Sequence, residues 1–500
     1  MAAGMNNGER PPLRSGIVAI MALLVGFFMG CTAGRVQPVR SASGPTDVYD
    51  VVIRNGRVMD PESGLDAVRS IGVSGGVVRV IGTKPLIGRL EIDASGLVVA
   101  PGFIDVVWEM PQSYQRVQLL DGVTTALSLW VGTADVDRWY ADREGRAATN
   151  FGVAVGHERV RRAVMRDPGR PGAPGDAMHR AATDDEIGEI RRTIERGLAC
   201  GALGVSLTNV TPAASGWETL EAFRAAKGAG AVVWAAPRET GNWDVDDMPR
   251  YLTELIGVAA ITGSELSVVH IQASGGPHTP RLLRIVDEAR AQGLSVTAEV
   301  FPYTANLSNI NLFSDWQRWP DAWFRDLEWM ATGERLTRET FARYREQEGY
   351  IVVRNEHVEP IVRDAVASPF TLIVSGAYLD ERGHGHPRAS GAHARVLGHY
   401  VRERRALSMM DALRKMSLMP ARLLESRAPS FEKKGRLREG GDADIVVFDP
   451  ERIIDRATFR EPTRPSQGVR HVLINGVLVV RDGIIQQGVF AGRSVRATVF

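Results

Sequence analysis

The chain carries one β-rich idiom at both of its ends and a different texture between them, and this limits the folds open to it. Residues 49–58 form a β-rich run interrupted by Asn55-Gly56, a dipeptide that predicts a hairpin. Residues 71–73, 77–82 and 97–100 follow, with turn residues between them. The idiom returns at residues 443–449 and 472–477. In between, helical stretches alternate with short apolar runs that end in polar residues: 201–208, 230–238, 266–272, 295–302, 351–354 and 371–375. Such alternation predicts a parallel β/α fold. A sheet split between the two ends, around a β/α middle, reads as an α/β protein. Its (β/α)8 TIM-like barrel is inserted into a small composite β-sandwich. The expected boundaries are 49–100 and 431–500 for the sandwich and 101–430 for the barrel. A Trp-rich insertion near 306–348 carries Trp316, Trp319, Trp323 and Trp329. It reads as a lid, a partner surface or the core of an inserted helical subdomain.

Composition narrows the class. The 500 residues are 44% hydrophobic and 24% charged, which excludes a mostly disordered, collagen-like or multi-span membrane chain. Sixty basic residues against 59 acidic ones give a net charge of +1, so no nucleic-acid partner is expected. Two cysteines exclude a disulfide framework. At the start, Arg10 and Arg14 precede an apolar run over 17–29 that ends at Gly30-Cys31. That run is too short to span a bilayer comfortably and reads as a secretory signal. Gly30-Cys31 resembles a bacterial lipoprotein cleavage box, with Cys31 as the acylated residue. Residues 1–31 are thus read as a signal and 32–48 as a flexible tether. The expected location is exported, lipid-anchored on the periplasmic or extracellular side of a bacterial membrane. Cys200, in an apolar helix-end context, reads as a buried structural thiol.

Several segments resemble a known family. Pro101-Gly102-Phe103-Ile104-Asp105 and Gly440-Gly441-Asp442-Ala443-Asp444-Ile445-Val446 are similar to the two domain junctions of the amidohydrolase superfamily. More narrowly, the N-acyl-D-amino-acid deacylase (D-aminoacylase) branch is resembled at 120–125, 201–206, 301–305, 386–388 and 411–416. The resemblance runs from about Asp47 to about Ala497. It implies a metal-dependent hydrolase of the amide of N-acylated D-amino acids, with its site at the C-terminal ends of the barrel strands. A zinc in such a site needs about three protein ligands and an open position for water. A carboxylate then takes the water's proton and returns it to the leaving nitrogen.

The resemblance places these groups at positions that carry other residues. A His-x-His pair is expected at 107 and 109, where the chain has Val107 and Glu109. An acidic ligand is expected near Ser128 or Trp130. None of the five lysines lies at a plausible barrel strand end to take the place of such a ligand. A His is expected at Ala236 and the general-base Asp at Gly376. His270 is the one expected metal ligand present. The loop 380–386 supplies weaker alternatives in Asp380, His384 and His386.

Ligand-binding groups remain. Arg238 and Arg388 are anchors for a carboxylate, since a guanidinium forks onto it with two hydrogen bonds. Tyr303 and His386 complete such a pocket. His157 reads as a hydrogen-bonded loop histidine and Glu239 as a salt-bridge partner. Ser206 and Ser375 are strand-end serines without an assignable base, and no Gly-x-Ser-x-Gly elbow or Walker loop appears. The leading reading is a catalytically defective amidohydrolase relative, without a cofactor. It binds an N-acyl amino acid or peptide fragment, or partners an active paralog or a second copy of itself. The alternative is a working hydrolase of linear amide carbon–nitrogen bonds with a relocated zinc site.

Overall fold

A computed structural model describes residues 48–169, 175–208, 213–237, 247–313, 316–347, 349–354 and 358–499. The signal with Cys31, and the tether up to residue 47, lie outside the described residues, as do Arg238 and Glu239.

The N-terminal strands are β1 (Val48–Asp60), β2 (Leu65–Ser74), β3 (Val77–Gly82), β4 (Ile87–Asp93) and β5 (Val98–Pro101). The hairpin expected at Asn55-Gly56 does not form, and β1 runs straight through it. The pairing with β2 shifts register between Ile53 and Gly56, a bulge with Asn55 at φ 59°. The reason is on the other side of the strand. There β1 pairs in parallel with β4 and β5, and that ladder holds it extended.

The barrel follows: β6 (Phe103–Asp105), β7 (Trp108–Glu109), β8 (Val123–Thr133), β9 (Asn150–Gly156), β10 (Gly204–Leu207), β11 (Val232–Ala235), β12 (Leu266–Val268) and β13 (Val296–Val300). Next come β14 (Asn306–Asn309), β15 (Leu327–Trp329), β16 (Glu334–Arg335) and β17 (Tyr350–Val353), then β18 (Thr371–Ile373) and β19 (Ala377–Tyr378). The eight parallel strands run in the order β18-β13-β12-β11-β10-β9-β8-β6. The short parallel pair β7–β19 bridges the two ends of that order. Asp105 reinforces the seam by accepting hydrogen bonds from the Val107 and Ser375 amides, the Gln118 side chain and the Ser375 hydroxyl. The barrel expected from the alternating pattern is therefore present. Its interior is a packed apolar core that includes Ile104, Leu127, Leu203, Trp234, Val269 and Leu372.

One expected barrel run lies elsewhere. Residues 351–354 belong to β17 and the turn after it, in a four-stranded sheet ordered β14-β17-β15-β16. The insertion is thus a mixed module with its own sheet, where a helical subdomain was one of the expectations. Its private core holds Phe324, Trp329, Phe341 and Tyr344. Trp329 stacks on Tyr344, Trp316 and Trp319 are partly buried, and Trp323 is exposed.

The last strands are β20 (Ile445–Phe448), β21 (Val469–Ile474), β22 (Val477–Arg481) and β23 (Ile484–Ile485). They join the first five in one nine-stranded sheet, β20 pairing directly with β5. Here Asn475-Gly476 does turn a hairpin, with both residues at positive φ. A buried polar network ties this sheet to the barrel. Asp444 accepts from Asn150, Lys434 and the Asn475 amide, and Asn475 donates to Asn150.

Candidate functional site

The site is built at the C-terminal ends of the barrel strands. β12 stops at Val268 and the chain turns abruptly at His270, whose φ of 46° lies in the left-handed region. The imidazole is held between Trp130 and Phe301, with ring centroids 5.5 and 5.1 Å away. It faces the backbone after β18. A Cβ placed on Gly376 would stand 3.0 Å from His270 Nε2 and 3.3 Å from Arg388 Cζ. His270 Nε2 makes no hydrogen bond to a described residue. Burial, with the charge of Arg388, holds this imidazole well below its ordinary pKa, so it is neutral.

Arg388 opens the helix Arg388–Arg395 and is buried. Its guanidinium lies over the Phe301 ring at 4.2 Å, and Nη1 donates to Asn306 Oδ1 at 3.3 Å. His386 is buried beside it. The Arg388 amide donates to His386 Nδ1 at 3.1 Å, so the ring proton sits on Nε2, which donates to the Ala305 carbonyl at 3.0 Å. Burial and the Arg388 charge hold this ring neutral as well. Tyr303 meets the His386 ring edge-on at 5.1 Å and donates its hydroxyl to Asp455 Oδ2 at 3.1 Å. Four sequence-derived candidates, His270, Tyr303, His386 and Arg388, therefore stand together. His386 and Tyr303 spend their polar atoms on the protein itself.

The other candidates stand apart from that group. Glu109 accepts from the Ser128 hydroxyl at 2.7 Å and the Val131 amide at 2.9 Å, and burial pushes its carboxyl up. Two positions where the resemblance expects metal ligands thus clip one another. His384 meets Asp380 at 3.1 Å in a half-exposed turn, while His386 points inward. His157 is buried at the end of β9 against Glu218 at 2.8 Å, and Arg161 closes on the same carboxylate. Burial of Glu218 opposes its charge, but His157 and Arg161 outweigh it and hold its pKa down. Ser206 donates to the Trp130 carbonyl, and Ser375 to Asp105. Cys200 is partly exposed, where a buried thiol was expected. Burial and its contact with Asp137 push the thiol up, which disfavours the thiolate.

Sequence reasoning missed Asn306, Asp455 and Phe459. Phe459 lies edge-on to His386 at 4.8 Å. Asp455 and Phe459 come from the connection between β20 and β21, more than 60 residues beyond Arg388. The one available signal was the length of that connection, since long stretches without helix or strand are uncommon in compact domains.

Comparison with known proteins points one way. Residues 364–480 match the family model described as Amidohydrolase family. The chain is 29% identical to the N-acyl-D-glutamate deacylase of Alcaligenes xylosoxydans xylosoxydans, over 86% of this chain and 93% of that one. It is 28% identical to the D-aminoacylase of the same organism, over 90% and 98%. It superposes on the crystal structure of N-acyl-D-glutamate deacylase from Bordetella bronchiseptica, complexed with zinc and a phosphonate inhibitor. The TM-score is 0.74 at 26% identity, covering 90% of this chain and all of that one.

These findings correct the expectation that a cofactor is dispensable: the solved relative holds zinc, so metal is the cofactor found with this fold. Among the described residues, no three His, Cys, Asp or Glu side chains converge to hold a metal ion. The Nε2 edge of His270 is turned to Gly376, with the Arg388 guanidinium beside it, a cation where a carboxylate would be needed.

Proposed function

The chain belongs to the amidohydrolase superfamily, in its D-aminoacylase-like branch, and on that premise we propose that it binds N-acylated amino acids without deacylating them. One observation carries this reading. Where the resemblance expects a proton-transferring carboxylate, Gly376 leaves none, and His270 and Arg388 crowd the volume its side chain would fill. Amide hydrolysis needs a group that takes the proton of the attacking water and delivers it to the departing nitrogen. Glu109, committed to Ser128 and Val131, is not free for that work. A neutral His270 beside a cation is a poor base.

Recognition is what remains. Arg388 supplies the charge for a ligand carboxylate, its guanidinium lying over the Phe301 ring at 4.2 Å. His270 Nε2 offers one further polar atom beside it. The lipid-anchored, exported location expected from Cys31 suits a receptor for acylated amino acids or peptide fragments outside the cell.

The test is titration calorimetry with N-acetyl-D-amino acids in zinc-containing buffer. The wild-type chain is expected to bind, and Arg388→Lys to bind at least tenfold more weakly, because an ammonium cannot form the paired contact. Free amino acid released at a steady rate would overturn this reading in favour of a working deacylase.

A further inference from the structure

The connection Asp449–Gly468 between β20 and β21 crosses from the nine-stranded sheet to the barrel mouth without forming helix or strand. Its base is closed by the Asp449 amide on the Gly468 carbonyl and by the bridge between Ile454 and Gln467. Ile453 is buried and fixes the start. Beyond it, the segment is held by separate clips. Asp455 accepts from the Tyr303 hydroxyl and lies 3.5 Å from Arg395 Nη1. Phe459 lies on His386, and the Arg354 guanidinium covers its ring at 4.3 Å. The Ser390 hydroxyl donates to the Pro462 carbonyl at 2.6 Å. Ser466 donates to Asp121 at 3.1 Å.

Two features make this more than a tidy loop. Gly391, in the helix that begins at Arg388, has Asp455 Cβ 2.7 Å and the Tyr303 hydroxyl 3.0 Å from where its own Cβ would stand. Only a glycine there lets the carboxylate come down onto Tyr303 and Arg395. The segment also covers buried groups. His386 and Arg388 are fully or almost fully buried, so no ligand reaches them unless something over them moves. Phe301, Tyr303 and Ala305, which also pack on His386, are buried, whereas the Phe459 segment carries the exposed Arg456, Thr458, Arg460 and Glu461.

We propose that residues 449–468 form a strap that gates the barrel mouth, latched by the Asp455 carboxylate on Tyr303 and Arg395. Asp455 is a carboxylate of the chain itself, bound by a hydroxyl and a guanidinium next to the groups that would receive the carboxylate of a ligand. The strap is therefore autoinhibitory. A ligand reaches Arg388 when Asp455 lets go of Tyr303 and Arg395. This rests on the ligand reading above for what passes the gate, but not for the gate itself.

The experiment reads access without any ligand. Diethyl pyrocarbonate acylates neutral imidazole nitrogen, and the rate at each histidine can be followed by mass spectrometry of peptides. In the full chain, Asp455→Ala is expected to raise the labelling rates of His386 and His270 at least tenfold. That of His384, which is partly exposed and lies outside the strap, stays constant. Hydrogen exchange over 453–467 is expected to rise in parallel, with the barrel strands unchanged. Asp455→Asn keeps an acceptor for Tyr303 and is expected to fall between wild type and Ala; it serves if the alanine variant does not fold. Equal labelling of His386 in wild type and both variants overturns the strap, as does strap exchange that rises only together with barrel exchange. Faster labelling in a protein that binds no N-acyl amino acid leaves the gate standing and removes the ligand reading alone.

Discussion

Glu299 is a carboxyl group sealed inside the barrel, on β13, with the Ser267 hydroxyl donating to it from 3.3 Å. Burial raises its pKa to about 8, and the nearby charge of Asp105 adds to the rise against the Ser267 bond. The folded chain therefore keeps this proton between pH 4.5 and about 8, whereas the unfolded chain has lost it. Unfolding releases a proton in that window, so stability falls as pH rises through it and is level above it. Glu299→Gln removes the titration at nearly constant shape. Its unfolding free energy is expected to match that of wild type near pH 4.5 and to exceed it progressively toward pH 8, by up to a few kcal/mol at about 1.4 kcal/mol per pH unit. A constant difference across that range would contradict the assignment. Residue identity at the mouth was legible in the sequence, because Gly376 and Ala236 stand inside motifs that otherwise match. What those residues do was not. Tyr303 and His386 read as ligand contacts, but Asp455 and Ala305 occupy their polar atoms through partners distant in the chain.

At the scale of elements, local sequence signals were decided by their neighbours. The same Asn-Gly pair bulges within β1 and turns between β21 and β22. The difference is that β1 is clamped on both sides by other strands at that point. The run 351–354 has the apolar pattern of a barrel strand, yet it pairs antiparallel with β14 and β15. An apolar run of four residues suits either partner, and only the pairing decides. The insertion it belongs to has a core separate from those of the barrel. Trp329→Ala is accordingly expected to cost about 3–5 kcal/mol locally. Hydrogen exchange should rise over 306–353 while β8 to β13 keep their protection. Uniform loss of protection through the barrel would show that the insertion is not an independent module.

The whole molecule is a barrel whose two flanking chain segments meet in one sheet, and it is held to that sheet by buried polar contacts. Lys434 is the clearest case. Burial opposes its charge, but Asp444 and Asp442 more than offset this and raise its pKa. Asp444→Ala leaves that ammonium and Asn150 short of a partner, and a loss of about 3–5 kcal/mol is expected in denaturant unfolding. The barrel and the split sheet were legible from the alternation of patterns. The strap across the mouth was not, because a connection without periodicity carries no pattern to read. The central claim concerns the whole chain, a deacylase architecture retained for recognition. Its most direct test is to incubate the purified chain with N-acetyl-D-glutamate and N-acetyl-D-methionine in zinc-containing buffer and to measure the free amino acid released. The account predicts no release above the protein-free control at ligand concentrations that saturate binding. Steady release that scales with protein concentration would contradict it.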